Sequence, residues 1–161
     1  MNQIVARGRD SQEVLAAETQ DYVTMFIEGQ LFGIPVLTVQ DVLGAQKITR
    51  IPLAPREVAG SLNLRGRIVT AIDVRLRLGL APRPEGEQPM SVVVELGGEL
   101  YSLMVDSVGE VLSLPSAGFE RNPPTLDPLW REFSAGIFRL QGKLLVVLDV
   151  MRLLEFTRQE A

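Results

Sequence analysis

The 161-residue chain contains neither histidine nor cysteine. That removes the imidazole general base, the imidazole metal ligand, the thiolate nucleophile and the disulfide together. Carboxylates and lysine are the remaining groups suited to acid–base work. Asp73 and Asp149 are the two that stand in matching sequence surroundings, so a carboxylate pair is one reading. Capping of two equivalent helix starts is the simpler cause, since an aspartate before a short apolar run accepts the free N–H groups there. No calcium- or magnesium-loop spacing accompanies either residue, and no metal is expected. The concentrated cations are Arg65, Arg67, Arg75 and Arg77. Acidic neighbours, a net charge of −4 and the lack of aromatics between these arginines argue against nucleic acid.

Both sets of residues lie in a stretch that occurs twice. Ala59–Leu78, AGSLNLRGRIVTAIDVRLRL, returns as Ala135–Leu154, AGIFRLQGKLLVVLDVMRLL, with Ala59, Gly60, Leu64, Gly66, Asp73, Val74 and Leu78 recurring in register. Upstream, Tyr22–Leu43 aligns without a gap to Ser91–Leu112, through pairs such as Val23/Val92, Gly29/Gly98, Leu31/Leu100, Val39/Val108 and Leu43/Leu112. Two ordered matches imply an internal duplication.

The elements that position these residues are mostly strands. Residues 1–19 read as a flexible arm. Tyr22–Ile27 is β-branched and aromatic, and Glu28-Gly29 reverses it into Leu31–Ile34. Pro35 is placed to open a helix whose apolar face is Val36, Val39 and Leu43. Ile48–Ile51 reads as a short strand. Leu62 and Leu64 alternate with polar residues, and Gly66 turns that strand into Ile68–Ile72. Residues 81–89, rich in proline and charge, form the linker. Met90–Leu96 and Glu99–Val105 flank Gly97-Gly98 as a hairpin, and Asp106 is expected to cap a turn. Trp130 is expected at a core edge, Phe133–Leu140 and Leu144–Leu148 form the last hairpin, and residues 156–161 are a tail. With 46% hydrophobic residues the chain can bury a sizeable core, as one domain or two small lobes. No apolar run approaches a membrane span and the start lacks a signal-peptide core, so a cytoplasmic protein without membrane insertion is expected. Short strands joined by glycine-rich reversals favour small closed barrels.

Val58–Arg75, VAGSLNLRGRIVTAIDVR, with Asn63-Leu64-Arg65-Gly66 as its most specific block, resembles the CheW-like family of bacterial chemotaxis coupling proteins. Phe32-Gly33-Ile34 followed by Val39-Gln40-Asp41-Val42, then Thr49–Pro52, Asp106–Val111 and Gly142…Leu148-Asp149 extend the resemblance over about residues 20–155. It implies a mainly β fold of two small five-stranded SH3-like β-barrel lobes packed together, with short helices, the lobes intertwined and covering about 20–80 and 90–155. It also implies no catalytic activity and no cofactor. The implied role is an adaptor linking the cytoplasmic tip of methyl-accepting chemoreceptors to the regulatory domain of a histidine kinase. Related couplers serve pili, surface motility or other outputs, so that alternative stays open. An enzyme-class alternative, a small carboxylate hydrolase, requires acidic side chains converging in a concave pocket. A ligand-binding barrel requires an exposed basic or aromatic stripe.

Five residues are candidates for protein binding: Val39, Asp41, Gly60, Asn63 and Arg65. Arg65 leads, because a guanidinium beside a turn can make directional bonds to a carboxylate or to carbonyls. The resemblance implies that it pairs with Asp41, where the family often has Glu. Thr70 stands where the family often has Pro. Copy two carries Gln141 in place of Arg65, so the charge is not required by the hairpin itself. Val39 reads as core or partner surface, Gly60 as a backbone restriction or a site of close approach, and Asn63 as binding its own turn or a partner.

Overall fold

Among the described residues eleven strands, eight of them paired in four hairpins, form two sheets. The computed structural model describes residues 18–158. The expected N-terminal arm lies outside the described residues as far as residue 17, and Thr19 already begins a strand. The strands are β1 (Thr19–Ile27), β2 (Gln30–Pro35), β3 (Val39–Leu43), β4 (Val58–Leu64), β5 (Arg67–Asp73), β6 (Met90–Leu96), β7 (Glu99–Val105), β8 (Ser107–Pro115), β9 (Phe119–Glu120), β10 (Ser134–Leu140) and β11 (Lys143–Leu148). Short helices follow: α1 (Val74–Arg77), α2 (Pro128–Phe133), α3 (Val150–Leu153) and α4 (Glu155–Arg158). Two-residue turns at Glu28-Gly29, Arg65-Gly66 and Gly97-Gly98 all have positive φ at both positions. That is the twist that lets adjacent antiparallel strands join so tightly.

One sheet has six strands in the order β8-β1-β2-β11-β10-β9, and the other has five in the order β3-β6-β7-β5-β4. Each draws on both sequence copies. The first hairpin of copy one, β1–β2, joins the six-stranded sheet through a parallel contact between β2 and β11. The first hairpin of copy two, β6–β7, joins the five-stranded sheet through a parallel contact between β7 and β5. The limits 20–80 and 90–155 therefore describe the sequence copies, not the sheets. The duplication also shows in shared irregularities: the β4–β5 register shifts at Gly60 and the β10–β11 register at Gly136.

The five-stranded SH3-like barrels expected from the resemblance are not present, because neither sheet closes. The outermost strands of the five-stranded sheet, β3 and β4, have no backbone pairing with each other, and neither have β8 and β9 of the six-stranded sheet. Closure is one way to remove a sheet edge, but short or covered edges serve equally. Here β9 is only two residues long. The outer edge of β4 is covered by one bridge, in which Thr49 and Ser61 exchange N–H and carbonyl at 2.8 Å each way. That bridge is all that remains of the strand expected over Ile48–Ile51. The helix expected after Pro35 is likewise a single 3-10 turn, Val36–Thr38, followed by strand β3. Valines at positions 39 and 42 suit a pleated strand better than a helix, and β6 offers the hydrogen-bonding partner.

Three apolar clusters hold this together. Tyr22, Leu31, Phe138, Leu145 and Val147 fill the six-stranded sheet, and Leu62, Val69, Ala71, Val93 and Leu100 fill the five-stranded one. The largest joins the two sheets, with Met25, Phe32 and Ile34 from one and Ile72, Val92 and Leu103 from the other. Trp130 packs at its margin, its indole N–H donating to the Leu78 carbonyl at 3.0 Å.

A buried charge node fixes the point where the chain crosses between sheets. Asp106 sits between β7 and β8 and accepts from Arg75 (2.9 and 2.8 Å), from Arg83 (3.2 and 3.0 Å) and from the Glu28 N–H (2.7 Å). It therefore receives a turn's N–H, but from the β1–β2 turn and not from the turn after it. Arg83 ties the linker down to the same carboxylate. Burial alone would raise the Asp106 carboxyl. The hydrogen bonds from Arg75, the Glu28 N–H and Arg83, with the Arg75 charge, outweigh it and hold the pKa at about 2, against 3.8 for a free side chain. A carboxyl depressed in the folded state contributes stability that is complete above its unfolded pKa and is lost as pH falls through the folded one. Asp106→Asn is expected to lower the urea-unfolding free energy at neutral pH by about 2 kcal/mol. The difference from wild type should shrink as pH is lowered from about 4 to about 2, measured by urea titration followed by circular dichroism.

Candidate docking surface

Asn63, Arg65 and Gly66 build one hairpin tip. The Asn63 side-chain oxygen accepts the Gly66 N–H at 3.0 Å, so Asn63 binds its own turn. Gly66 takes φ 84° and Arg65 takes φ 52°. A left-handed backbone costs a branched or long side chain roughly 1 kcal/mol, which glycine, asparagine or aspartate would largely avoid. Arg65 is therefore a locally unfavourable choice for its turn.

Its side chain reaches across the open mouth of the five-stranded sheet. Arg65 Nη2 donates to Asp41 Oδ2 at 3.1 Å, joining the β4–β5 tip to β3 on the opposite edge of the same sheet. The expected pair is thus present as a contact. It is solvated, with the Arg65 side chain 77% exposed, so its contribution to stability is under ~1 kcal/mol. Beside the turn Ile68 is 68% exposed, and Leu37 just before β3 is 87% exposed.

The other two candidates lie apart from this pair. Val39 packs against the core between the sheets. Gly60, at φ 151°, lies so close to the Thr49 carbonyl that a Cβ would overlap it, and Gly136 meets Glu120 and Phe119 in the same way. Both glycines are required where a passing segment crosses the bulge.

The second copy lacks the pair. Gln141 and Glu110 occupy the places of Arg65 and Asp41, and no side-chain hydrogen bond joins them among the described residues. An opening of about 460 Å³ lies there, lined by Thr24, Phe26, Leu31, Leu112, Leu140 and Lys143.

Two features escaped the sequence reading. A groove of about 370 Å³ lies at the margin of the core between the sheets, with Thr70 of β5 and Tyr101 of β7 on its floor. One wall is the loop Ile51–Pro55, where Leu53 is fully exposed at φ 64° between two prolines. The other wall is α4, through Phe156 and Thr157. A fully exposed leucine in a strained backbone is the one signal that marks this loop, and a strained φ cannot be read from a sequence. The arginine run also proves to be no strip. Arg67 approaches the Gly98 carbonyl, Arg75 binds Asp106, and Arg77 binds carbonyls of α3. Asp73 and Asp149 cap α1 and α3 separately, accepting from Leu76 N and Arg152 N. Among the described residues no three acidic side chains gather as a metal site, and no helix is long and apolar enough to cross a membrane.

The described residues thus present two apolar-cored sheets, an exposed ion pair and a shallow groove. Residues 21–158 match the family model described as the CheW-like domain, and the chain belongs to that family. The chemotaxis protein CheW of Klebsiella aerogenes is 31% identical over 142 residues, covering 87% of this chain and 86% of that protein. Protein PilI of Pseudomonas aeruginosa is 30% identical over 142 residues, covering 88% and 79%. The crystal structure of the scaffolding protein TtCheW from Thermoanaerobacter tengcongensis is similar at a TM-score of 0.76 and 29% identity, covering 85% of this chain and 93% of that one. CheW-family proteins generally bridge receptors and histidine kinases. This chain is a non-catalytic coupling adaptor of chemotaxis-like signalling, not an enzyme.

Substitution separates the glycines by cause. Gly60→Ala is expected to destabilise the fold by ~2 kcal/mol or more through overlap with the Thr49 carbonyl. Gly66→Ala, whose Cβ would meet nothing within 4 Å, should cost ~1 kcal/mol from backbone conformation alone. Thermal melts of the two variants check the order.

Proposed function

We propose that this adaptor binds the regulatory domain of a chemotaxis histidine kinase through the Arg65–Asp41 side of the five-stranded sheet. The cytoplasmic helical tip of a methyl-accepting chemoreceptor occupies the groove between the Ile51–Pro55 loop and α4. The protein works in the cytoplasm, recruited to membrane-associated receptor arrays by these two contacts.

The observation that carries the reading is Arg65 itself: a strained, solvated arginine held in one direction by Asp41. An exposed ion pair adds little to folding, so the cost of its backbone is offset elsewhere. Arg65 and Asp41 set the register of an interface whose affinity comes from apolar neighbours such as Leu37 and Ile68. Asn63 supports this by holding the turn, and Gly60 by admitting the Thr49 segment beside it. Val39 acts from the core side of β3, positioning Asp41 two residues on. What supports a helix there is the apolar lining of Leu53, Val58 and Phe156, which can receive the apolar face of an amphipathic helix.

The near-equal identity to Protein PilI favours a second reading of the output, in which the same adaptor serves an array controlling pili or surface motility. Deleting the gene and scoring swimming against twitching separates the two.

Co-sedimentation with a receptor cytoplasmic fragment and the cognate kinase tests the adaptor reading. Arg65→Ala is expected to weaken ternary assembly on the order of tenfold, about 1.4 kcal/mol, and Arg65→Glu more, with native circular dichroism in both. Undiminished assembly by both variants removes Arg65 from the interface. Failure of the wild-type protein to bind either partner defeats the assignment of partners.

A further inference from the structure

Arg77 has no counterpart in the second copy, where the matched residue is the fully buried Leu153. It leaves α1 and enters the region where the two copies meet. Its Nε donates to the Leu153 carbonyl at 2.7 Å and its Nη2 to the Arg152 carbonyl at 3.3 Å, so the side chain caps the C-terminal end of α3. The same guanidinium carbon stands 4.4 Å from the centroid of the Phe133 ring and 4.4 Å from that of Phe156. One of these rings is fixed: Phe133 is buried in the core between the sheets. The other belongs to α4, four residues long, too short to hold itself as a helix.

Phe156 is also a lining residue of the groove opposite the Ile51–Pro55 loop. Its neighbour Thr157 adds only a 3.4 Å contact to the Tyr101 hydroxyl and a bond back to the Leu154 carbonyl. The Arg77 stack, together with the packing of Phe156 against the core between the sheets, attaches the groove's second wall. Desolvation lowers the Arg77 pKa from its ordinary value, against the opposing charges of Glu57, Glu132 and Glu155, but the group stays a cation.

We infer that Arg77 is a positioning residue for partner binding: by stacking on Phe156 it holds the C-terminal helix as a wall of the groove, and so sets the affinity for a helical partner without touching it. The inference rests on the groove being the receptor-tip site. It assigns to α1 and α4 a role that the Arg65–Asp41 surface does not share, so the two partners should respond differently.

The test measures binding of a soluble receptor cytoplasmic fragment and, separately, of the kinase regulatory domain, by titration calorimetry. The full chain is compared as wild type, Arg77→Met, Arg77→Lys, Phe156→Ala and, as a block of the groove floor, Thr70→Arg. Amide exchange over 155–158 is followed in each. Arg77→Met and Phe156→Ala should weaken the receptor fragment at least fivefold, hasten exchange in that segment and leave kinase binding within twofold. Arg77→Lys, which keeps the cation over the rings, should recover part of the loss. If Thr70→Arg abolishes receptor binding while Arg77→Met changes it less than twofold, the role of Arg77 is overturned and the groove reading stands. If Thr70→Arg leaves receptor binding unchanged, the groove reading fails and this inference with it. Equal loss of both partners by Arg77→Met, with faster exchange throughout the chain, also overturns it, since Arg77 would then act on the whole fold.

Discussion

Neither sheet can be completed from one copy of the repeat. A strand needs hydrogen-bonding partners on both flanks unless it is short or covered. β11 finds its second partner only in β2, and β5 only in β7, each from the other copy. The two parallel junctions therefore weld the copies into one folding unit. The core between the sheets follows from them, because the exchanged hairpins carry Met25, Phe32, Val92 and Leu103 into it. Asp106 stands where this exchange forces the chain across. There its carboxylate gathers a turn, a helix and the linker into one node.

Much of this was legible. The type of each hairpin turn follows from Gly29, Gly66 and Gly98, and both helix caps follow from Asp73 and Asp149. The Arg65–Asp41 contact was implied by resemblance, and its geometry by nothing in the spacing. What escaped has physical reasons. Pro35 followed by valines at helical spacing satisfies a helix pattern, yet pairing with β6 overrides it. The exchange of hairpins leaves no mark on local periodicity, since a strand reads the same whichever copy it pairs with. Arg75 and Arg77 resemble surface cations in sequence, and only tertiary contact shows that one is buried against Asp106 and the other stacked between rings.

Duplication supplies the scaffold, and the two copies then differ at matched places. Where copy one has Arg65 and Asp41, copy two has Gln141 and Glu110 and an opening lined by Leu31, Leu112 and Leu140. Where copy two has Leu153, copy one has Arg77 reaching over to it. Both departures replace a neutral side chain by a guanidinium at the rim of an apolar cluster. Each makes matched places of the two copies present different side chains.

The exchanged hairpins also set when this protein can exist at all. β2 is made more than a hundred residues before its neighbour β11, which spans residues 143–148. Until then the apolar strands of both early hairpins stand without the sheet that covers them. Such long-range pairing makes for slow folding and a nascent chain prone to sticking to others of its kind. A cell that makes this adaptor must shelter the stretch from β2 onward until β11 is made.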